Sequence, residues 1–319
     1  MRVLVLGGGG FIGRHIVRRL SAANHNVSAF SRHSAGSELP VILGDRDRLE
    51  ESAAAFHDLR PDMVVDTLAF TESQACGLVN AFRGIAKRAV ALSSGDVYRA
   101  YDILHRRVER PLDPTPLTEQ SPLRERLFPY RGVPVPAVDF NTDKYDKILV
   151  ERAVQADPDL PATILRLPMV YGPGAYESHK RRFRPYAKAM WEGQRTILLD
   201  QRTAQWRAPW GYVSDIAEAV RLAAENDKAA GQIYNVCEKD APNLRGWIDE
   251  LGEVISWRGR IVVADQPDSP FNLPRDLNLD QNLDMSAEKI REELGYCETV
   301  SRREAVAITV QWEQQHPPR

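Results

Sequence analysis

The 319-residue sequence predicts an α/β protein, a doubly wound parallel sheet followed by a smaller C-terminal lobe. Three observations predict it. Short β-rich runs alternate with helical-period stretches over the first 95 residues, and glycines cluster directly after the first run. Beyond residue 239 the alternation gives way to helices with a single strand and proline-rich breaks. Alternation of this kind builds a sheet covered by helices on both faces.

The runs "RVLVLG", "NVSAFS", "PVILG", "DMVVDTLAF" and "RAVALSS" are almost continuously apolar, as strands buried on both faces must be. Between them, "FIGRHIVRRLSAA" and "RDRLEESAAAFHDL" have helical periodicity. Residues 99–141 hold seven prolines (Pro111, Pro114, Pro116, Pro122, Pro129, Pro134 and Pro136) and predict an irregular insertion where a lid would lie. A helix is expected from about residue 143, then the strand and turn "ATILRLPMVYGPG", then a helix over 180–193. "GYVSDIAEAVRLAAEN" predicts a turn and helix with Ser214 or Asp215 near its cap, and "GQIYNV" a further strand. In the tail, "RIVVAD" is the expected strand and 267–274 a break. The predicted division is a nucleotide-binding domain over 1–170, joined by 207–238, with 171–206 and 239–319 forming the smaller lobe.

Composition narrows the function. A net charge of −2 gives no electrostatic case for nucleic acid or a membrane surface. No apolar run approaches the roughly 18–20 residues of a membrane span, and the N-terminus is expected to be a strand rather than a signal peptide. Cys76, Cys237 and Cys297 lack metal-ligand spacing and fit a reducing cytoplasm, and the seven histidines are isolated. No metal is expected. The expected partner is a small-molecule substrate, and self-association as a homodimer stays open.

"VLVLGGGGFIGRHIV" places Gly7, Gly10 and Gly13 after a strand and at the start of a helix, a variant of the dinucleotide fingerprint. Glycines there allow a tight turn and close approach of main-chain amides to a pyrophosphate at the helix N-terminus. The end of the second strand meets the adenosine ribose in such folds. An acid there selects NAD, whereas a base accommodates the phosphate of NADP. "AFSRHS" offers Ser31, Arg32 and His33, so NADP is expected over NAD. "LGDRDR" brings Asp45 and Arg46 to the next strand end, where Asp45 either meets the adenine amino group or caps the following helix.

Together "GGGGFIG", "ALSSGDVY", "DKILVER", "LRLPMVYGPG", "YVSDIAEAV" and "YNV" occur in the order in which the chain resembles the extended, or atypical, short-chain dehydrogenase/reductase superfamily. The branch is the NAD(P)-dependent epimerase/dehydratase family, on a Rossmann-like fold, and the likeness covers roughly residues 1–240. The resemblance implies hydride transfer at a carbinol or carbonyl carbon of a sugar nucleotide or other small molecule. It implies that Ser94 bonds the reacting oxygen, and that Lys147, with Glu151 four residues on, holds the nicotinamide ribose and lowers a tyrosine pKa. Phe11, Ile12, Leu68 and Pro168 are implied along the coenzyme, with Leu167 beside Pro168.

The family's Tyr-x-x-x-Lys pair is broken, because Asp143 stands four residues before Lys147. Tyr145 is two residues away, about 200° around a helix, so it serves only if the helix begins late. Asp143 either acts itself as the acid/base, which needs burial to raise its pKa, or is a cap or an ion-pair partner of Lys147. Tyr98, Tyr101 and Tyr130 are the other hydroxyls available. Tyr98 and Tyr171 are expected at the substrate, and Arg181, Arg182 and Arg184 have the charge to clamp a diphosphate or carboxylate. Arg207 is expected on the substrate too, but Trp206 and Trp210 beside it depart from the family pattern and point equally to a smaller or aromatic substrate. A second hypothesis follows from the broken pair: a protein that binds NADP without turnover, as a sensor or scaffold.

Overall fold

The computed structural model describes residues 1–33, 40–133, 142–175, 181–265 and 267–317. In chain order the first half runs β1 (Arg2–Leu6), α1 (Phe11–Ala22), β2 (Asn26–Ser31), β3 (Val41–Leu43), α2 (Ala53–Leu59), β4 (Met63–Asp66), α3 (Glu72–Phe82), β5 (Arg88–Ser94) and α4 (Arg99–Leu104). There follow α5 (Lys147–Gln155), β6 (Ala162–Leu167), β7 (Met169–Tyr171), α6 (Arg184–Trp191), β8 (Thr196–Asp200), α7 (Gln201–Gln205) and β9 (Trp210–Tyr212). The chain ends with α8 (Val213–Glu225), β10 (Ile233–Asn235), α9 (Leu244–Ile255), β11 (Arg260–Ala264), α10 (Glu288–Leu294) and α11 (Arg302–Gln315).

Seven strands form one parallel sheet in the order β3-β2-β1-β4-β5-β6-β10. The order reverses between β1 and β4, so the crevice at their C-terminal ends is the switch point where such folds take a ligand. Period-two alternation splits β1 between two cores. Val3 and Val5 face α1 and α8, packing with Ile16, Leu20, Ile216 and Val220. Leu4 and Leu6 face α3 and α5, packing with Leu78, Phe82, Val150 and Val154.

A third core gathers Tyr171, Phe183, Trp210, Tyr212 and Trp247 with the apolar faces of α6, α9 and α11. The parallel pairs β7–β9 and β8–β11 edge it. Part of the tail departs from the expected lobe: Leu279, Leu283, Met285 and Ile290 pack into the first core under the sheet. Strand β8 was not expected from sequence. Its Ile197 and Leu199 alternate inward against β11.

Helix boundaries differ where side chains compete for backbone amides. Helix α5 begins at Lys147, not 143, because the Asp146 carboxylate accepts the Ile148 amide at 2.9 Å and caps it there. Residues Thr142–Lys144 make a separate 3₁₀ turn. Helix α8 begins at Val213 without a side-chain cap, and Asp215 accepts from the Thr299 amide and hydroxyl at 2.7 and 2.6 Å. The proline-rich insertion is tied down through residue 133. Arg99 pairs with Asp113, Arg124 with Asp146, and the Phe128 amide donates to Asp146 at 2.6 Å. Pro134, Pro136 and Asn141 lie outside the described residues, as do Ser178, His179 and Lys180 of the basic cluster.

Candidate active site

The glycine loop follows from close packing. Gly7 has φ +83°, and a Cβ there would fall 2.3 Å from Thr67 Oγ1. A Cβ on Gly13 would fall 2.0 Å from the Gly7 carbonyl oxygen, so only glycine lets α1 start this close to β1. Gly10 caps α1 without a side chain, and no acid stands in its first turn. Phe11 and Ile12 open α1; Phe11 packs against the third core and Ile12 against both the first and the third, and neither lines the cavity at the loop.

A cavity of ≈ 620 Å³ runs from this loop across the ends of β2, β3 and β4. Gly7, Gly10, Ser31, Arg32, Asp45, Arg46 and Leu68 all line it, which brings together most of the residues expected on the coenzyme. Asp45 lines the cavity and accepts the Asp47 amide at 2.9 Å as a cap. At the β2 end the lining residues are Ser31, Arg32 and His33, with no carboxylate among them.

Arg46 is buried and ion-paired with the fully buried Asp66, and its Nη2 donates to the Gln74 carbonyl at 2.9 Å. Its Nη1 is also buried, yet has no hydrogen-bond partner among the described residues. Such a donor costs about 1–3 kcal/mol unless a ligand accepts from it. The cavity therefore fits a group with a ring-nitrogen or carbonyl acceptor at this end and a pyrophosphate at the glycines.

At its inner end the cavity reaches Phe70. Lys147 Nζ lies 4.7 Å over that ring and donates to the carbonyls of Ala69 and Leu92 at 2.6 and 2.8 Å. Burial pulls the Lys147 pKa down to about 8 against the raising fields of Asp66, Asp96 and Glu151. One turn on, Glu151 accepts from Ser93 Oγ at 2.6 Å and from Arg166 at 2.8 Å, which fixes α5 along β5.

Tyr145, just before the helix cap, is buried and donates its hydroxyl to Asp96 Oδ2 at 2.7 Å. Tyr130 donates to the same oxygen at 3.1 Å. Burial and the Asp96 charge push the Tyr145 pKa well above its ordinary value. Asp96 went unrecognised from sequence, although "SSGDVY" displays it two residues after Ser94. Its Oδ1 is buried and unpartnered among the described residues. Ser94 ends β5 half-buried and accepts the Asp96 amide at 3.2 Å.

Other expected residues lie elsewhere. Asp143 neither caps α5 nor pairs with Lys147; its carboxylate accepts the Gly132 amide at 2.8 Å. Tyr98 is fully buried, donating to Asn235 at 2.6 Å and receiving Arg166 at 3.0 Å, so it is a core residue and not a substrate contact. Tyr171 is likewise a core residue, bonded to Glu238 at 2.6 Å within the aromatic cluster. Arg181 is buried, holding the carbonyls of Ala175 and His316 and stacking over Trp312, which makes it a brace to α11 and not a clamp. Arg207 points outward to the Ala241 carbonyl at 2.9 Å, whereas its neighbours Trp206 and Trp210 turn inward. Pro168 breaks β6 from β7 and packs on Gly211, where a Cβ would lie 2.7 Å from Pro168 Cγ.

A family model described as the NAD dependent epimerase/dehydratase family matches residues 3–77 and 136–237, more than half of the sequence. The chain belongs to this family. Its fold is similar to that of UDP-glucose 4-epimerase from Thermotoga maritima, solved with UDP-glucose, at TM-score 0.72 and 18% identity over 99% of both chains. It is also similar to the Thermus thermophilus UDP-glucose 4-epimerase complex with NAD, at TM-score 0.69 and 23% identity, covering 98% of this chain and 99% of that one. In sequence it is 25% identical over 244 residues to 2'-dehydrokanamycin reductase from Streptomyces kanamyceticus, covering 75% of this chain. The chain spans 62% of that reductase's length. These likenesses establish a family fold and leave the substrate to the site itself.

Proposed function

We propose that the protein binds a nicotinamide dinucleotide, NADP in preference to NAD, and catalyses oxidation–reduction at a carbinol or carbonyl carbon of a small molecule. The observation that carries this reading is the meeting of two features at Phe70: the glycine-lined cavity and the buried Tyr145–Asp96–Lys147 cluster. A structural neighbour solved with NAD and a sequence relative named as a reductase support it at the level of reaction class.

Gly7, Gly10 and Gly13 would hold the pyrophosphate, Arg46 and Asp45 the adenine end, and Ser31 with Arg32 the ribose phosphate. When bound, the nicotinamide supplies or accepts hydride. Lys147 has three N–H donors and spends two on carbonyls, so one remains for a ribose hydroxyl. Tyr145 keeps its proton at neutral pH, and a developing alkoxide is a stronger base than a tyrosinate. It therefore suits the role of proton donor in reduction, with Ser94 as the second hydroxyl and Asp96 as the group that orients Tyr145.

A second reading, binding without turnover, is favoured by one contact: at rest the Tyr145 proton points to Asp96. Following NADPH consumption over a panel of small aldehydes and ketones separates the two. The oxidoreductase reading expects turnover that falls roughly 100-fold or more in Tyr145→Phe and in Lys147→Ala. Tight NADPH binding, with no turnover by the wild type on any panel member, supports the second reading.

A further inference from the structure

The chain has a second, chemically different cavity, of ≈ 290 Å³, whose walls come from two of the three cores. Leu104 and Leu283 belong to the first core, and Phe183, Trp210, Trp247 and Leu251 to the third. Its size is at or just below the roughly 300 Å³ where pockets for drug-sized ligands begin. Phe183 stacks on Trp210 and on Trp247 with ring centroids 5.4 and 5.3 Å apart, so the aromatic wall is packed and rigid. Water in such a space finds few partners, and an apolar body gains by replacing it.

The polar lining is sparse and one-sided. No aspartate or glutamate is among the described residues that line this cavity. Arg182 does line it. Of the three arginines in the basic cluster, Arg181 is held by two carbonyls and Arg184 reaches the Glu313 carbonyl. Arg182 has neither a hydrogen bond nor a carboxylate partner among the described residues, and it is an exposed residue that also lines the cavity. Its surroundings are nonetheless close enough that desolvation lowers its pKa. The remaining polar groups are Tyr101, Tyr186, His105 and the indole N–H groups of Trp206, Trp210 and Trp247; that of Trp206 donates to the Gln281 carbonyl, and that of Trp247 is buried and without a partner among the described residues.

The cavity abuts the reaction centre. A Cβ built on Gly95, the residue after Ser94, would lie 3.2 Å from the Tyr101 hydroxyl. Met169, the residue after Pro168, forms part of the wall.

We propose that this cavity binds an amphipathic small molecule, an apolar or aromatic body of about a dozen heavy atoms bearing one carboxylate, with Arg182 as its anion partner. One arginine among apolar walls matches a single anionic group rather than a sugar diphosphate. The binding claim stands apart from turnover. Only the description of the neighbouring Ser94 as part of a reaction centre rests on the oxidoreductase reading.

The test is calorimetric titration of the full chain with hexanoate, 3-phenylpropanoate and naphthalene-2-carboxylate, each against its neutral amide, and with UDP-glucose. At least one carboxylate is expected to bind roughly tenfold or more tightly than its amide and than UDP-glucose, quenching tryptophan fluorescence as it does so. In Arg182→Gln that preference is expected to vanish while NADPH affinity is kept, which shows the variant is folded. The proposal is overturned if no carboxylate binds, if amides bind equally well, if UDP-glucose binds most tightly, or if Arg182→Gln leaves the preference intact. Carboxylate binding by a chain that does not bind NADPH would reject the oxidoreductase reading and leave this one standing.

Discussion

Lys147 shows how burial sets a residue's chemistry. Its ammonium is held between the carbonyls of Ala69, after β4, and Leu92, in β5, while desolvation brings its pKa to about 8, within reach of ordinary assay conditions. A ribose hydroxyl bonded to the charged form loses that donor's strength as the proton leaves. NADPH affinity, followed by fluorescence titration, is therefore expected to fall roughly tenfold as pH rises from about 7 to about 9.5. A flat profile contradicts the assignment of Lys147 to the coenzyme. Glu313 on α11 is a different case. It is 2% exposed, and burial raises its pKa to about 7 from 4.5, against the lowering influence of Arg181 and Arg184. A carboxyl raised in the fold stabilises at low pH, and that contribution is lost as pH rises from about 4.5 through about 7. Glu313→Gln should remove the loss and gain on the order of 3 kcal/mol over wild type at pH 8. Urea denaturation of both proteins at pH 5 and pH 8 reads it, and an equal difference at the two pH values contradicts it.

At the scale of elements, the start of α5 decides the site. Asp146 accepts from Ile148, Phe128 and Arg124 at once, and both members of the Asp146–Arg124 pair are fully buried. Removing the carboxylate leaves a buried guanidinium without its counter-charge. Asp146→Ala is therefore expected to cost about 3–5 kcal/mol in denaturant unfolding, and a loss below about 1 kcal/mol contradicts the picture. The same element shows what sequence can and cannot supply. Lys147 and Glu151 were legible through the family resemblance of "DKILVER", and their spacing of four puts both on one helix face. The cap was not: Thr142, Asp143 and Asp146 are all competent capping types, and only contacts 18 and 22 residues back, to Phe128 and Arg124, choose among them. The late start removes Asp143 from the face of Lys147 and leaves Tyr145 free to reach Asp96. The seven strands of the main sheet were legible from apolar continuity, and the glycine loop from its place between strand and helix. Strand β8 escaped because five residues with two inward side chains give a weak period. Tyr98 and Tyr171 carry hydroxyls that sequence reads as site groups, whereas Asn235 and Glu238 bury them as satisfied pairs.

On the scale of the whole molecule, the two cavities lie at boundaries. The switch point of the sheet carries the glycine-lined cavity, and the contact between the first and third cores carries the apolar one. Segment 105–133, far from a detached flap, ties these regions together by bringing Tyr130 to Asp96 and Phe128 to Asp146. A ligand that spans such boundaries should stabilise the fold as a unit, by about 2.7 kcal/mol at a hundred times its Kd. The most direct measurement is a calorimetric titration of the purified chain with NADPH and with NADH, repeated in Arg32→Ala. Saturable binding of one dinucleotide per chain is expected, tighter for NADPH, with the preference narrowed by Arg32→Ala. No heat of binding from either coenzyme, from a chain whose glycine loop is intact and folded, would contradict it.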